Sequence, residues 1–182
     1  TGIEHHSGRI IGVRWSGGIL TCDKVVVAAG VAAPDVLRDT GVHLPMLDRP
    51  GAIMRSTVMP PVLAHVLVTP DGEIRQDTSG RFIVPTAASH QSDATEKIET
   101  DPRVLARAAA ARVSELVGMD IDWDTVALAY RPVPGDQRPV IGSAGLEGLH
   151  VAVMHSGATL CAIAAEITSS EVMEMPLSNE TA

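Results

Sequence analysis

The residues best suited to chemistry lie in one stretch of the chain, between Tyr130 and Cys161. Arg131 follows an apolar segment with the pattern of a strand, and arginine binds carboxylates through two parallel hydrogen bonds. A second strand, predicted over residues 149–154, ends at His155-Ser156-Gly157, where a helix rich in small residues begins. The start of such a helix presents free backbone N–H groups and a positive dipole end. The stretch therefore predicts binding of anionic or electron-rich groups.

The composition narrows the kinds of molecule that this protein could bind. The 182 residues are 45% hydrophobic, which predicts a folded core, and the net charge of -8 argues against nucleic acid and anionic membranes. Aromatic residues make up only 2%, which leaves little material for stacking platforms. The longest apolar run, residues 25–33, is too short to span a bilayer. Two cysteines, Cys22 and Cys161, make no disulfide framework, so we predict a cytoplasmic protein.

Three runs of sequence carry a family resemblance. The runs are Arg131-Pro-Val-Pro-Gly-Asp136-Gln-Arg-Pro139-Val-Ile-Gly142, His155-Ser-Gly-Ala-Thr-Leu160 and Asp23-Lys-Val-Val-Val-Ala-Ala-Gly30. Together they resemble the C-terminal part of the FAD-dependent D-amino-acid oxidase family, which includes glycine and sarcosine oxidase-like enzymes. Their order along the chain and their approximate spacing also match that family. The family's GxGxxG fingerprint lies upstream of the matching region in relatives and is absent here. We therefore expect a C-terminal piece of a longer enzyme.

The resemblance implies roles for particular residues. Arg131 matches the arginine that binds the substrate carboxylate, and this is the only substrate-binding residue assigned. The positions that match cofactor-binding residues, for which the implied cofactor is FAD, are Ala29, Gly30, Gly142, His155, Ser156, Gly157, Ala158 and Thr159. Ala29-Gly30 matches the adenosine side of FAD, and His155 to Thr159 match the turn and helix start at the flavin.

Simpler roles stay open for the same residues. Arg131 could be a structural arginine paired with Asp136 or with an acid at the sheet edge, and Ala29-Gly30 could be an ordinary strand end. The hydroxyl of Ser156 could cap the helix, and His155 could be only a packed histidine. Glu4-His5-His6 has no third ligand at suitable spacing, so no metal site is predicted.

The helices and strands predicted around these residues indicate an α+β fold. It comprises part of an FAD-binding α/β domain plus an antiparallel-sheet substrate domain with a covering helix. The predicted segments are an FAD-domain portion over residues 1–44, the substrate domain over 45–134, and a return to the FAD domain over 135–182. Pro139-Val140-Ile141-Gly142 matches the turn at that return.

Local patterns place the individual elements. Segments 9–15 and 19–22 flank a Gly-Gly turn and predict a hairpin. Val25 to Ala29 has the pattern of a parallel strand buried on both faces, and a short helix from Ala33 ends near Gly41. The four strands predicted for the antiparallel sheet span 51–58, 62–68, 73–75 and 81–84.

The later helices also follow from local patterns. A helix from Asp101 to Gly118 has an apolar face predicted to be Leu105, Ala109, Val113 and Leu116. Another helix is predicted from Gly157 to about Met173. Residues 86–100 read as a polar loop and 176–182 as a frayed tail.

The resemblance implies oxidation of an amino or imino acid, by hydride transfer from the α-carbon to flavin N5. In this mechanism no protein acid or base is essential, and Arg131 fixes the carboxylate. D-amino acids, glycine, sarcosine and cyclic imino acids all fit, and oxygen or another electron acceptor reoxidises the flavin. The alternative is a non-catalytic fragment or accessory subunit that needs an upstream FAD-binding segment or subunit to hold FAD.

Overall fold

A computed structural model describes residues 2–69, 72–86 and 102–176 of the chain. The chain divides into two compact units. Unit 1 combines Thr1–Leu47 with Pro132–Ala182, and unit 2 is the continuous segment Asp48–Arg131. The predicted α+β fold class is confirmed, since helices accompany several mainly antiparallel sheets.

Unit 1 begins with a three-stranded antiparallel sheet. Strand β1 (Gly2–His6) pairs with β2 (Arg9–Trp15), which pairs with β3 (Gly18–Thr21). The predicted Gly-Gly hairpin is confirmed as β2 and β3. The sequence analysis missed β1, because its Glu-His-His end lacks the alternation that identifies a strand.

A second three-stranded sheet forms the centre of unit 1. Its order is β12 (Val140–Ser143), β13 (Leu149–Val153) and β4 (Val25–Val27). The β4–β13 pair is parallel and the β12–β13 pair is antiparallel. The predicted parallel strand is confirmed, but its burial on both faces is wrong. Val26 points to the opposite face of the sheet from Val27 and is 41% exposed, whereas Val27 is buried.

Two segments of unit 1 differ from the expected loops. Pro139 to Gly142 was predicted as a turn, but its β-branched Val140 and Ile141 extend into β12 and pair with β13. Strand β5 (Met46–Leu47), which was not predicted, pairs with β11 (Val133–Pro134).

Helices α1 (Ala33–Leu37) and α3 (Gly157–Met173) complete unit 1. Both were predicted, and a 3₁₀ turn carries the chain on from α1 to Gly41, whose φ of 75° ends it. The apolar core of unit 1 includes Ile10, Leu37 and Leu149, all with no exposed surface. Both cysteines are free: Cys22 is half-buried and Cys161 is exposed.

Unit 2 contains a five-stranded antiparallel sheet. Its order is β10 (Trp123–Tyr130), β6 (Pro50–Val58), β9 (Arg81–Thr86), β8 (Gly72–Gln76) and β7 (Leu67–Thr69). The antiparallel sheet is confirmed. The strand expected over residues 62–68 is reduced to β7, because the side-chain amide of Gln76 bonds the backbone at Pro60, Val62 and Leu63.

Helix α2 (Pro102–Val117) packs on one face of that sheet. Ala106, Ala109 and Val113 are buried against apolar side chains of the sheet, among them Phe82. Leu116, predicted on the buried face, is 51% exposed. The loop predicted over residues 86–100, the tail predicted over 176–182 and the side chain of Leu105 lie almost entirely outside the described residues. None of the helices in the described part of the chain is long and apolar enough to cross a membrane.

Candidate functional site

Two strand ends in unit 1 lie at one edge of the central sheet. Strands β4 and β13 run parallel, with Val25 opposite Leu149 and Val27 opposite Val151. Ala29-Gly30 follows the carboxyl end of β4, and His155 follows the carboxyl end of β13. Ligands of α/β sheets bind outside the carboxyl ends of the strands. The structure therefore brings two of the predicted cofactor-binding segments, Ala29-Gly30 and the start of α3, to the edge where such ligands bind.

Gly30 meets a conformational requirement at this edge. Its φ is +56°, in the left-handed region where a side chain is unfavourable. A Cβ atom there would lie 3.8 Å from the side chain of Pro132, which is ordinary contact, so the backbone conformation and not crowding favours glycine. The N–H of Ala32 donates to the carbonyl of Ala29 at 3.1 Å and closes the turn.

The turn before α3 uses its serine in an unexpected way. Ser156 has a left-handed backbone, with φ 62° and ψ 32°. Its hydroxyl shares a 2.8 Å hydrogen bond with Nδ1 of His155. Within the described part of the chain it makes no side-chain hydrogen bond to the helix. The suggested capping role of the Ser156 hydroxyl is therefore wrong.

The backbone N–H groups at the amino end of α3 therefore have no side-chain cap among the described residues. Its first helical hydrogen bond runs from the N–H of Leu160 to the carbonyl of Ser156, at 3.0 Å. The preceding N–H groups, on residues 157–159, have no intrahelical acceptor, and these residues are exposed. A Cβ on Gly157 would meet no other described atom within 4 Å. Free donors, a positive helix end and open space suit an electron-rich cofactor ring.

Gly142 lies elsewhere in unit 1. It pairs with Val151 inside the sheet, and its φ is +144°. A Cβ there would approach the Glu171 carboxylate at 3.5 Å. Glu171 is 14 residues after Gly157, or roughly 21 Å along the helix at 1.5 Å per residue. The structure does not bring Gly142 to the edge formed by Gly30 and the start of α3.

Arg131 directly follows strand β10 of the unit 2 sheet. Its backbone N–H donates to the carbonyl of Arg49 at 2.8 Å, which continues the β10–β6 pairing by one residue. The side chain is half-buried. Its Nε lies 3.9 Å from the position a Cβ would take on Gly51, so the missing side chain of Gly51 leaves room for the guanidinium. Asp136, suggested as a structural partner for this arginine, accepts the backbone N–H of Arg138 through Oδ1.

Arg49 was not identified from the sequence. It is only 2% exposed, and both terminal nitrogens of its guanidinium are buried without a hydrogen-bond partner among the described residues. A buried charge without a partner is costly, and arginine is rarely buried unless paired. The sequence offers one signal, because Arg49-Pro50 repeats the Arg-Pro pair of Arg131-Pro132.

A cavity of about 440 Å³ lies at the opposite, amino ends of β4 and β13 in unit 1. Its charged side chains are largely matched, as Lys24 Nζ lies 2.9 Å from Glu174 Oε1. This hydrogen bond lowers the pKa of Glu174. His150 Nδ1 lies 3.6 Å from Glu171 Oε2, too far for a hydrogen bond.

Known proteins identify the family. The family described as FAD dependent oxidoreductase, DAO, matches residues 1–171. D-amino acid dehydrogenase of Xanthobacter autotrophicus is 31% identical over 166 residues, covering 85% of this chain and 37% of that protein. A hydrogen cyanide synthase subunit of Pseudomonas protegens is 26% identical over 81% of this chain and 36% of its own length. Glycine oxidase of Bacillus cereus superposes on 99% of this chain and 51% of its own, with a TM-score of 0.73 and 20% identity.

The chain belongs to the DAO family of FAD-dependent oxidoreductases. The family resemblance and its cofactor, FAD, are thereby confirmed. The chain spans little more than a third of the length of the two curated relatives.

Proposed function

We propose that this chain forms part of an enzyme that oxidises an amino or imino acid at the carbon beside its carboxylate, with FAD as the hydride acceptor. The observation that carries the proposal is the open edge of unit 1, where Gly30 and the uncapped start of α3 lie at adjacent strand ends. In this proposal unit 1 belongs to the FAD domain and unit 2 is the substrate domain.

Backbone groups of unit 1 would hold the cofactor. Gly30 allows close approach at the end of β4, and the N–H groups at the start of α3 would stabilise negative charge by about 1 kcal/mol. FAD, when bound there, would supply the hydride acceptor, flavin N5, and would be reoxidised by oxygen or another electron acceptor.

Arg131 would bind the substrate carboxylate. Its permanent charge and planar fork suit a carboxylate, and Gly51 leaves room beside it. Fixing the carboxylate orients the α-carbon, so positioning supplies much of the rate enhancement. His155 is hydrogen-bonded to Ser156 and is given no proton-transfer role in this proposal.

The function is tested with the complete, FAD-loaded enzyme under anaerobic conditions. Adding D-alanine, D-aspartate, glycine, sarcosine, iminodiacetate or proline should bleach the flavin absorption near 450 nm (about the usual position of this band) with at least one of them. A flavin that none of these compounds reduces, while dithionite still reduces it, would contradict the proposal.

A second candidate is that this chain holds FAD only with an FAD-binding segment or subunit. The supporting observation is the first part of α3, residues 157–165, which carries no charged side chain and yet exposes Cys161, Ala162, Ile163 and Ala165. Helices that are apolar all round are typically buried. We propose that the FAD-binding segment or subunit covers this helix.

A spectrum of this chain after incubation with FAD and desalting tests the second candidate. A retained flavin band means that the chain binds FAD by itself. A cooperative thermal melt without retained flavin favours the second candidate.

A further inference from the structure

Arg49 is the feature of the molecule that the proposed function leaves unexplained. It is 2% exposed and both terminal nitrogens of its side chain lack a hydrogen-bond partner among the described residues. Buried charges in proteins are paired, because an unpaired one loses its hydration without compensation. An anion that arrives from outside the chain would provide that compensation.

The backbone places Arg49 beside Arg131. Pro50 lies opposite Tyr130 in the β6–β10 pair, and the hydrogen bond from Arg131 N to Arg49 O extends this register by one residue. Residues directly opposite in an antiparallel pair project to the same face, about 5 Å apart at Cβ. Each arginine precedes a proline, which favours the extended conformation that this pairing needs.

That face of the sheet is the one away from α2. Along β6, Ala52, Met54 and Ser56 are buried, and Met54 packs in the core beneath α2. The alternate residues face the other way, and of these Ile53 is 45% exposed. Arg49 and Arg131 therefore share the face opposite α2.

The positions of the two arginines indicate what binds there. Asp48, next to Arg49 in the chain, is exposed, whereas Arg49 is buried. In the proposed function Arg131 binds one substrate carboxylate. A second carboxylate of the same substrate would satisfy the buried terminal nitrogens of Arg49.

We propose that Arg49 binds a second carboxylate of the substrate, so that the enzyme prefers amino or imino acids with two carboxylates. This inference rests on the proposed function and on the role of Arg131 within it. It makes Arg49 a specificity-determining residue.

Matched substrate pairs isolate the second carboxylate. D-aspartate is D-alanine with a carboxylate added, and iminodiacetate is sarcosine with a carboxylate added. In the complete, FAD-loaded enzyme, kcat/KM should be at least about 50-fold higher for one dicarboxylate than for its partner. Arg49→Met should remove most of this preference by raising KM for the dicarboxylate, and leave the monocarboxylate within about threefold.

Two further variants complete the experiment. Arg55→Met, which removes an exposed arginine from the same strand, should leave the preference unchanged. Arg49→Lys keeps the charge and should retain part of the preference, and it replaces Arg49→Met if that protein does not fold. Because the terminal nitrogens of Arg49 have no hydrogen-bond partner in the described part of the chain, Arg49→Met without substrate should melt no lower than the wild type.

The outcomes separate the two proposals. Oxidation of monocarboxylates with equal or better efficiency, unchanged by Arg49→Met or by Arg49→Lys, would overturn the role of Arg49 and leave the proposed function standing. If no amino or imino acid reduces the flavin, the proposed function and this inference fail together.

Discussion

Units 1 and 2 differ in whether backbone groups or side chains are placed to bind a ligand. In unit 1 the open edge consists of backbone: a left-handed glycine at Gly30 and the free N–H groups at the start of α3. In unit 2 the sheet face opposite α2 carries the side chains of Arg131, which is half-buried, and Arg49, which is buried. Function in unit 1 should therefore be sensitive to added atoms and to backbone conformation. Function in unit 2 should be sensitive to removed charge.

The two units also differ in how the chain supports these features. Unit 2 is one continuous segment whose core lies on the α2 side of the sheet, behind the arginine face. Unit 1 is assembled from two separate segments, and its parallel β4–β13 pair joins them. Parallel strands close together in space can come from distant parts of the sequence, so the unit 1 edge depends on long-range pairing.

The largest stability effect is expected behind the arginine face. Phe82 has no exposed surface and packs in the unit 2 core. Phe82→Ala should lower the free energy of unfolding by about 3–5 kcal/mol in denaturant titrations, through lost burial and a residual cavity. Phe82→Leu, which keeps most of the volume, should cost clearly less. Equal losses for the two variants would contradict a packing role.

An intermediate effect is expected at the open edge of unit 1. Gly157→Ala and Gly157→Val add atoms where no described protein atom lies within 4 Å. The melting temperature without cofactor should barely change. In the complete enzyme the Kd for FAD should rise with side-chain size, by about tenfold or more for valine, measured by flavin fluorescence titration. Unchanged FAD affinity in Gly157→Val would show that the cofactor does not approach this position.

The smallest effect is expected in the turn between β8 and β9. A hydrogen bond from the Ser79 hydroxyl to Asp77, helped by the backbone N–H of Arg81, lowers the pKa of Asp77. A carboxylate with a lowered folded pKa stabilises the protein above its unfolded pKa of about 4, and this is lost as pH falls through the folded pKa. Asp77→Asn should therefore melt slightly below the wild type at pH 7. The difference should shrink in thermal melts below about pH 4, whereas a difference that grows on acidification would contradict this assignment.

Local patterns predicted the elements whose signals are complete within one segment. The Gly-Gly hairpin of β2 and β3, the proline-started α1 and the small-residue helix α3 all formed where expected. The edge position of β4 could not be predicted locally, because it depends on which strands pair with it. The burial of Val26 was overestimated because a short apolar run does not show whether both faces of its sheet are covered.

The residues of the candidate site also differ in whether the local sequence could predict them. Arg131 and the turn at His155 carry family-like motifs, so the sequence pointed to them. Arg49 has no such motif, and its importance arises from burial and from its position opposite Arg131. Ser156 was assigned a capping hydroxyl from its residue type, but a left-handed backbone turns that hydroxyl to His155.

The most direct test of the account asks whether Arg131 recognises the α-carboxylate. In the complete, FAD-loaded enzyme, flavin reduction is timed with the fastest amino-acid substrate and with the amine that lacks only its α-carboxylate. The wild type should prefer the amino acid by at least about 100-fold. In Arg131→Met the preference should fall to within about tenfold while the flavin spectrum stays unchanged. A variant that keeps the full preference would contradict the assignment of the carboxylate to Arg131.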